Sequence, residues 1–350
     1  MTTARAVIGA NFGDEGKGLV VDYLCSKGAG VVVRFNGGAQ AGHTVVDPDG
    51  RRHVFKHVGS GAFLGIPTFL SHFFVCNPLM FLQEIEALNA LGVAPVVHAH
   101  PRCRVTTFAD MLINQAKEDA RGDGRHGSVG VGVHETMVRS EIDELRITMA
   151  DLWNGVDLEP TLREICSQYA AFRTGKAIDN PDAMISAYIT ACQKFANLVS
   201  PAGIGDFKDI VFEGAQGLLL DQDRKEFFPH VTHSNTGMKN VITLCASAGI
   251  DRIDAYYVTR SYLTRHGAGP LPDENAMMSF TDKTNAEHPY QGKLRFAPLD
   301  DNVRLRCAMD RHDKFSLVVT HCDQMFIGLD ADYRSYGETR KDISLVTKGL

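Results

Sequence analysis

Two glycine-rich stretches near the N-terminus hold the residues best suited to chemistry. The first, Gly9-Ala-Asn-Phe-Gly13-Asp14-Glu15-Gly16-Lys17-Gly18, leads into an apolar segment, Leu19 to Leu24, that could open a helix. Glycines let backbone N–H groups curl around phosphate oxygens, a helix N-terminus favours anions, and Lys17 adds a positive charge. This is a nucleotide cradle in kind. It departs from a standard P-loop, because Gly18 stands where a Ser or Thr hydroxyl would bind magnesium. A metal must find another oxygen, and Asp14 is the nearest candidate. Asp14 on its own could equally cap the helix. The second stretch runs Arg34-Phe-Asn-Gly-Gly-Ala-Gln-Ala-Gly-His43-Thr44. A histidine with a near-neutral pKa can give or stabilise a proton on a phosphate oxygen. Most of the 14 histidines are expected to be structural, and the glycine context singles out His43.

These loops need strands and helices to hold them. Short β-branched runs recur at Ala4 to Ile8, Gly30 to Phe35, Ala94 to His98, Asp209 to Phe212, Ala255 to Thr259 and Ser316 to Thr320. Near-continuous apolar runs of this length point to strands covered on both faces, as in a parallel sheet. Helical spacing lies between them, as in Leu79 to Leu91, where Leu79, Leu82, Ile85 and Leu88 share a stripe. The alternation predicts an α/β fold with a central, mostly parallel sheet flanked by helices. No repeat or Pro/Ser-rich linker interrupts it, so one domain over residues 1–350 is expected.

Composition narrows the function classes. At 350 residues and 44% apolar content, the chain can bury a sizeable core. A net charge of -6 without a long single-sign run argues against a nucleic-acid footprint or a membrane-binding basic face. The eight cysteines include no CxxC pair, which suggests neither a zinc site nor a disulfide framework and fits a reducing, cytoplasmic setting. The N-terminus lacks the pattern of a secretory signal, and no stretch of about 18 apolar residues suggests a membrane span.

GDEGKG followed by RxNGGxxAGHT resembles the opening of adenylosuccinate synthetases. Further segments in the same order strengthen the likeness: Phe212-Glu-Gly-Ala-Gln216-Gly-Leu-Leu-Leu-Asp221, Phe228-Pro-His-Val-Thr232-His-Ser-Asn235-Thr236, Thr264-Arg265-His-Gly-Ala-Gly-Pro270, Thr320-His-Cys-Asp323 and Ser335-Tyr-Gly337-Glu-Thr-Arg340. The resemblance spans residues 5 to about 343. It implies a ligase that joins L-aspartate to C6 of a 6-oxopurine nucleotide. Oxide is a poor leaving group, and phosphorylating O6 solves that. Asp14 would take the N1 proton, His43 would assist transfer of the γ-phosphoryl to O6, and the aspartate amine would then displace phosphate at C6.

The same resemblance implies the ligands. Gly13, Glu15, Gly16, Lys17, Gly18, Gly42, Thr44, Arg295, Asp323 and Gly337 would hold the nucleoside triphosphate. Asp14 and the Gly42 carbonyl would hold Mg2+. The acceptor, a purine nucleoside monophosphate, would meet Asp14, Gln40, Ala41, Ser128, Val129, Gly130, Arg139, Gln216, Thr232 and Lys293. Gln216 and Thr232 could instead merely satisfy backbone groups. The aspartate loop would be Tyr290-Gln291-Gly292-Lys293-Leu294-Arg295, with Gln291, Gly292, Lys293 and Arg295 on the dicarboxylate, where a plain solvated loop is the bland alternative. The family is dimeric, so a homodimer is expected, with an arginine reaching into the partner's site.

Several departures look like the phage branch of this family, which makes 2-amino-2'-deoxyadenylosuccinate from dGMP and aspartate using ATP. Gly127-Ser-Val-Gly-Val-Gly-Val-His-Glu-Thr replaces the usual TTGRGIGP, and Tyr290-Gln-Gly-Lys-Leu-Arg295 stands for the aspartate loop TTGRRRR. The TKxD segment that reads guanine is Thr320-His-Cys-Asp323, without its lysine, and Gln40 stands where an asparagine is usual. The chain is also tens of residues shorter than typical bacterial members. Asp14 pulls the other way, since some phage members carry a small residue there to make room for a 2-amino group. An enzyme using IMP and GTP is the alternative acceptor and donor pair. A GTPase-like switch would keep a P-loop hydroxyl and NKxD, and a nucleotide sensor could dispense with Asp14 and His43. Neither description fits these residues.

Overall fold

The computed structural model describes residues 3–280, 282–284, 287, 291–310 and 314–347. Ten strands form one sheet: β1 (Ala4–Gly9), β2 (Val31–Arg34), β3 (Thr68–Leu70), β4 (Val97–Ala99), β5 (Val199–Pro201), β6 (Ile210–Gly217), β7 (Ile253–Arg260), β8 (Phe315–Thr320), β9 (Tyr333–Ser335) and β10 (Ile343–Leu345). Their order across the sheet is β10-β9-β8-β7-β1-β6-β2-β3-β4-β5. Every pairing is parallel except β9 with β10, where Tyr333 faces Leu345. The expected α/β architecture is present.

The apolar runs follow from this placement. β1 lies between β6 and β7, with Ala4 level with both Ile210 and Ile253. Ala4, Ala6 and Ile8 point to one face, where Met238, Val241 and Leu244 of a helix cover them. Val7 points to the other, against Leu19, Val20 and Leu24 of α1 (Lys17–Ser26). A strand buried on both faces gains nothing from polar residues. A third cluster, including Phe55, Phe81, Ile113, Tyr188 and Phe195, joins the hairpin His43–Val46/Arg52–Phe55 to the helices beside β4 and β5.

Differences from the sequence reading have local causes. The run from Ala94 pairs only from Val97, because Pro95 has no N–H to give a ladder. The helix begins at Pro78, one residue earlier than expected: Asn77 caps it by accepting the Met80 N–H at 3.1 Å, and Pro78 suits the first helical position. β3, β5, β9 and β10 have three residues each, too few to show a period.

Candidate active site

Parallel strands send their loops to one edge. The turns after β1, β2, β6, β7 and β8 all leave from carboxyl ends, and β1 is where the chain's progress across the sheet changes direction. That is the position where open α/β sheets hold ligands. A cleft of about 510 Å³ opens there, lined by Asp14, Glu15, Gly16, Lys17, Gly18, Gly42, His43, Thr44, Asp323 and Gly337 among others. Residues distant in sequence and singled out from it are thus brought to one cavity.

The first loop is held by bonds to distant strands. Gly13 has φ +101, Asp14 +56 and Gly16 +86. Thr264 Oγ1 donates to the Gly13 carbonyl at 3.1 Å, Arg260 Nε donates to that of Asp14, and Thr320 Oγ1 to that of Glu15 at 2.8 Å. A non-glycine residue at positive φ is costly, so Asp14 is kept there by its surroundings. The Glu15 carboxylate turns inward, accepting from Asn11 N at 2.5 Å and lying 3.2 Å from Lys17 Nζ. Burial raises its pKa although Lys17 opposes the shift. Its side chain braces the loop, and its charge sits on Lys17 within the protein. The Asp14 carboxylate remains 28% exposed, with His266 Nδ1 3.8 Å away.

His43 is built differently. Its Nδ1 lies 2.5 Å from Glu213 Oε1, and Ser60 donates to the same carboxylate through its hydroxyl and, at 3.0 Å, its N–H. Arg34 NH1 is 3.6 Å from the other oxygen. Burial pushes the Glu213 carboxyl up, but His43 and Arg34 outweigh it and hold it at about 2. Burial also holds the His43 ring down to about 4 against the pull of Glu213. A neutral ring beside a carboxylate donates through Nδ1–H, which leaves Nε2 for the cleft. Glu213, Ser60 and Arg34 were not foreseen. The signal was a carboxylate inside an apolar strand run, which is rare without a paired role.

Other assignments fare unevenly. Gln40 and Gln216 meet over Gly37, where an added Cβ would lie 3.3 Å from Gln40 Nε2 and 3.4 Å from Gln216 Oε1. The Oε1 atoms of both are buried without a hydrogen-bond partner. Ala41 closes the same turn through its N–H on the Gly38 carbonyl at 3.2 Å. Gln291 Nε2 donates to the Gly127 carbonyl at 2.8 Å, so the two loops expected to hold acceptor and aspartate touch. Ser128 Oγ donates to Asn114 Oδ1 at 2.8 Å and accepts from the Gly130 N–H at 3.2 Å, beside Val129.

Arg139 is fully buried, with Nε 2.9 Å from Asp110 Oδ1 and further donors on the Val105 and Leu145 carbonyls, so its guanidinium is engaged inside the protein. Arg295 is likewise engaged, by Glu274 at 2.7 Å and the carbonyls of Gly267 and Gly269, and does not line the cleft. Lys293 is exposed, 3.8 Å from Glu287, beside Gly292. Thr232 lies on a turn, its N–H on the Leu220 carbonyl at 2.8 Å. Tyr290 lies outside the described residues.

No cluster of three or more metal-ligating side chains occurs among the described residues. Asp14 and Gly42 border one cavity, and a single carboxylate with a carbonyl suits magnesium, which keeps several waters and takes phosphate oxygens. Among the described residues no helix is long and apolar enough to cross a membrane.

The chain is similar to known proteins in sequence and in fold. The family model for adenylosuccinate synthetase matches residues 6–337. Adenylosuccinate synthetase of Pseudomonas fluorescens strain SBW25 is 34% identical over 337 residues, covering 91% of this chain and 76% of its own. Fully ligated adenylosuccinate synthetase from Plasmodium falciparum superposes with a TM-score of 0.70 at 20% identity, over 92% of this chain and 77% of that one. Cyanophage S-2L succinoaminodeoxyadenylate synthetase, bound to dGMP and dATP, gives 0.64 at 15% identity, over 99% and 95%. The last two share the fold. The extent of the family match and the bacterial identity place the chain in the adenylosuccinate synthetase family, C–N ligases that join aspartate to a purine nucleotide.

Proposed function

We propose that the acceptor is dGMP and the donor an adenine nucleoside triphosphate, so that the product is 2-amino-2'-deoxyadenylosuccinate, a precursor of diaminopurine DNA. The supporting observation is two buried side-chain oxygens without hydrogen-bond partners in one turn, Gln216 Oε1 beside Gly37 and Gln40 Oε1 beside Gly38. Both can only accept. The 2-amino group of guanine supplies two N–H donors, whereas hypoxanthine has none at C2. An acceptor left unpaired costs about 1–3 kcal/mol, so discrimination against IMP of about tenfold to a hundredfold follows. The cyanophage enzyme, with dGMP and dATP bound, is a neighbour in fold.

In this reading Asp14 takes the proton from N1, and O6 becomes the nucleophile. The γ-phosphoryl passes to O6 beside His43. Negative phosphate at Nε2 raises the ring's proton affinity, and Glu213 behind Nδ1 stabilises the protonated ring. The aspartate amine then attacks C6 and phosphate leaves with the oxygen it captured. Bound magnesium would offset charge on the phosphoryl oxygens. Mg2+ on Asp14 and Gly42 and a homodimeric assembly belong to the same proposal.

A second reading, IMP with GTP, is favoured by Asp14 and by the bacterial relatives. Phosphate release measured with aspartate, magnesium and a grid of IMP, dIMP, GMP and dGMP against ATP, dATP and GTP separates the two. The best pair is expected to be dGMP with ATP or dATP. Preference for IMP with GTP would replace this proposal with the second reading.

A further inference from the structure

His321 directly follows β8 and lies in the wall of the cleft. It adopts φ +58, and its carbonyl accepts from Ser261 Oγ at 3.0 Å. Its ring lines the cleft with Asp323 and Gln324. Thr320 Oγ1 lies 2.8 Å from the Glu15 carbonyl, 3.3 Å from the Thr259 carbonyl and 2.8 Å from His321 Nδ1. A hydroxyl has one proton and both carbonyls only accept, so that proton goes to a carbonyl. The hydroxyl oxygen therefore accepts from Nδ1–H, and Nε2 is left with a lone pair and no proton. Burial, helped by Arg260, holds the ring down to about 3 although Asp282 pulls it upward, so it is neutral at physiological pH. Among the described residues no hydrogen bond to Nε2 is present.

Resting on the reading of the donor as an adenine triphosphate, we propose that His321 selects the donor base: Nε2 accepts from the exocyclic amino group of adenine and repels the carbonyl oxygen that guanine carries at the same carbon. A lysine in place of His321 would put a donor there and reverse the preference. The choice is thereby tied to the phosphate cradle, because the hydroxyl that fixes the ring's tautomer also holds the Glu15 carbonyl.

The test is calorimetric binding of ATP, GTP and purine riboside 5'-triphosphate, which lacks the amino group, to the full chain with magnesium and without aspartate. The wild type is expected to bind ATP about tenfold or more tighter than either competitor, the worth of one buried hydrogen bond and its lost partner. His321→Lys should lower the ATP-to-GTP ratio about tenfold, and His321→Ala should bring ATP and the amino-free analogue within about threefold. Wild type that favours ATP over GTP yet binds ATP and the analogue equally overturns the role of His321 and leaves the donor reading standing. An amino-group advantage that survives in His321→Ala does the same. Wild type that favours GTP overturns the donor reading and the proposal together. The analogue arm uses wild-type protein, so it decides even where a variant fails to fold.

Discussion

Asp14 and His43 reach the cleft by opposite means. Asp14 is held by its backbone, at φ +56 with its carbonyl on Arg260, while its carboxylate stays partly solvated. Asn tolerates the left-handed region nearly as well, so Asp14→Asn should keep the fold and lose the base. Turnover is expected to fall at least about 10² to 10⁴-fold in a phosphate-release assay, with an unchanged thermal melt. Activity within about threefold of wild type would remove Asp14 from that role. His43 is held by its side chain, through Glu213 to Arg34. Glu213→Gln keeps the shape but strands a buried guanidinium, so a loss of about 3–5 kcal/mol in urea unfolding is expected together with lower kcat. Unchanged stability would mean that Arg34 finds another counter-charge. The cradle and His43 were legible because each lies in one contiguous glycine string. Arg34 and Glu213 were not, since they become neighbours only through the pairing of β2 with β6, where their Cα atoms are level.

The element that most constrains the site is α1, whose first turn packs on the hairpin His43–Val46. A Cβ on Gly18 would lie 2.8 Å from the Thr44 carbonyl and 3.2 Å from His43 Cβ. That contact explains why the P-loop hydroxyl is missing: the backbone of the second loop occupies its place. Gly18→Ser, which restores the familiar motif, should therefore destabilise by about 1–3 kcal/mol and lower turnover. Urea unfolding and kcat measured together check this, and a stable variant with higher turnover would count against the packing argument. Long central strands and the helix from Pro78 were readable from their periods. The loop at 127–130 was not. Its hydroxyl and carbonyls are spent on Asn114, Gln115 and Gln291, partners that only tertiary structure supplies.

Over the whole molecule, burial of neutral imidazoles sets the acid limit. His43, His72 and His134 are held down to about 4 and His321 to about 3, in each case by burial first, from an ordinary 6.5. The unfolded chain thus binds these protons first as pH falls, so stability present above 6.5 is lost between about 6.5 and 4. Glu213, held at about 2, adds a loss of the same sign below 4.5. Asp22, Glu15 and Asp310 run the other way, each raised by burial first, Asp22 to about 6 despite Arg340, and are outnumbered. Calorimetric melting temperatures should be highest above pH 7 and fall steeply from 6.5 to 4. A flat profile there would show the rings to be protonated in the fold. The placement of β1 has a consequence in time. Ala4 is made first and pairs with Ile210 and Ile253, and at about 5–20 residues per second roughly 10–40 s separate the first partner's synthesis from its own. The cradle waits longer, because Thr320 must arrive to hold the Glu15 carbonyl and Arg340 to hold Asp22. A triphosphate bound as proposed can therefore steady the molecule only after Thr320 and Arg340 have been made.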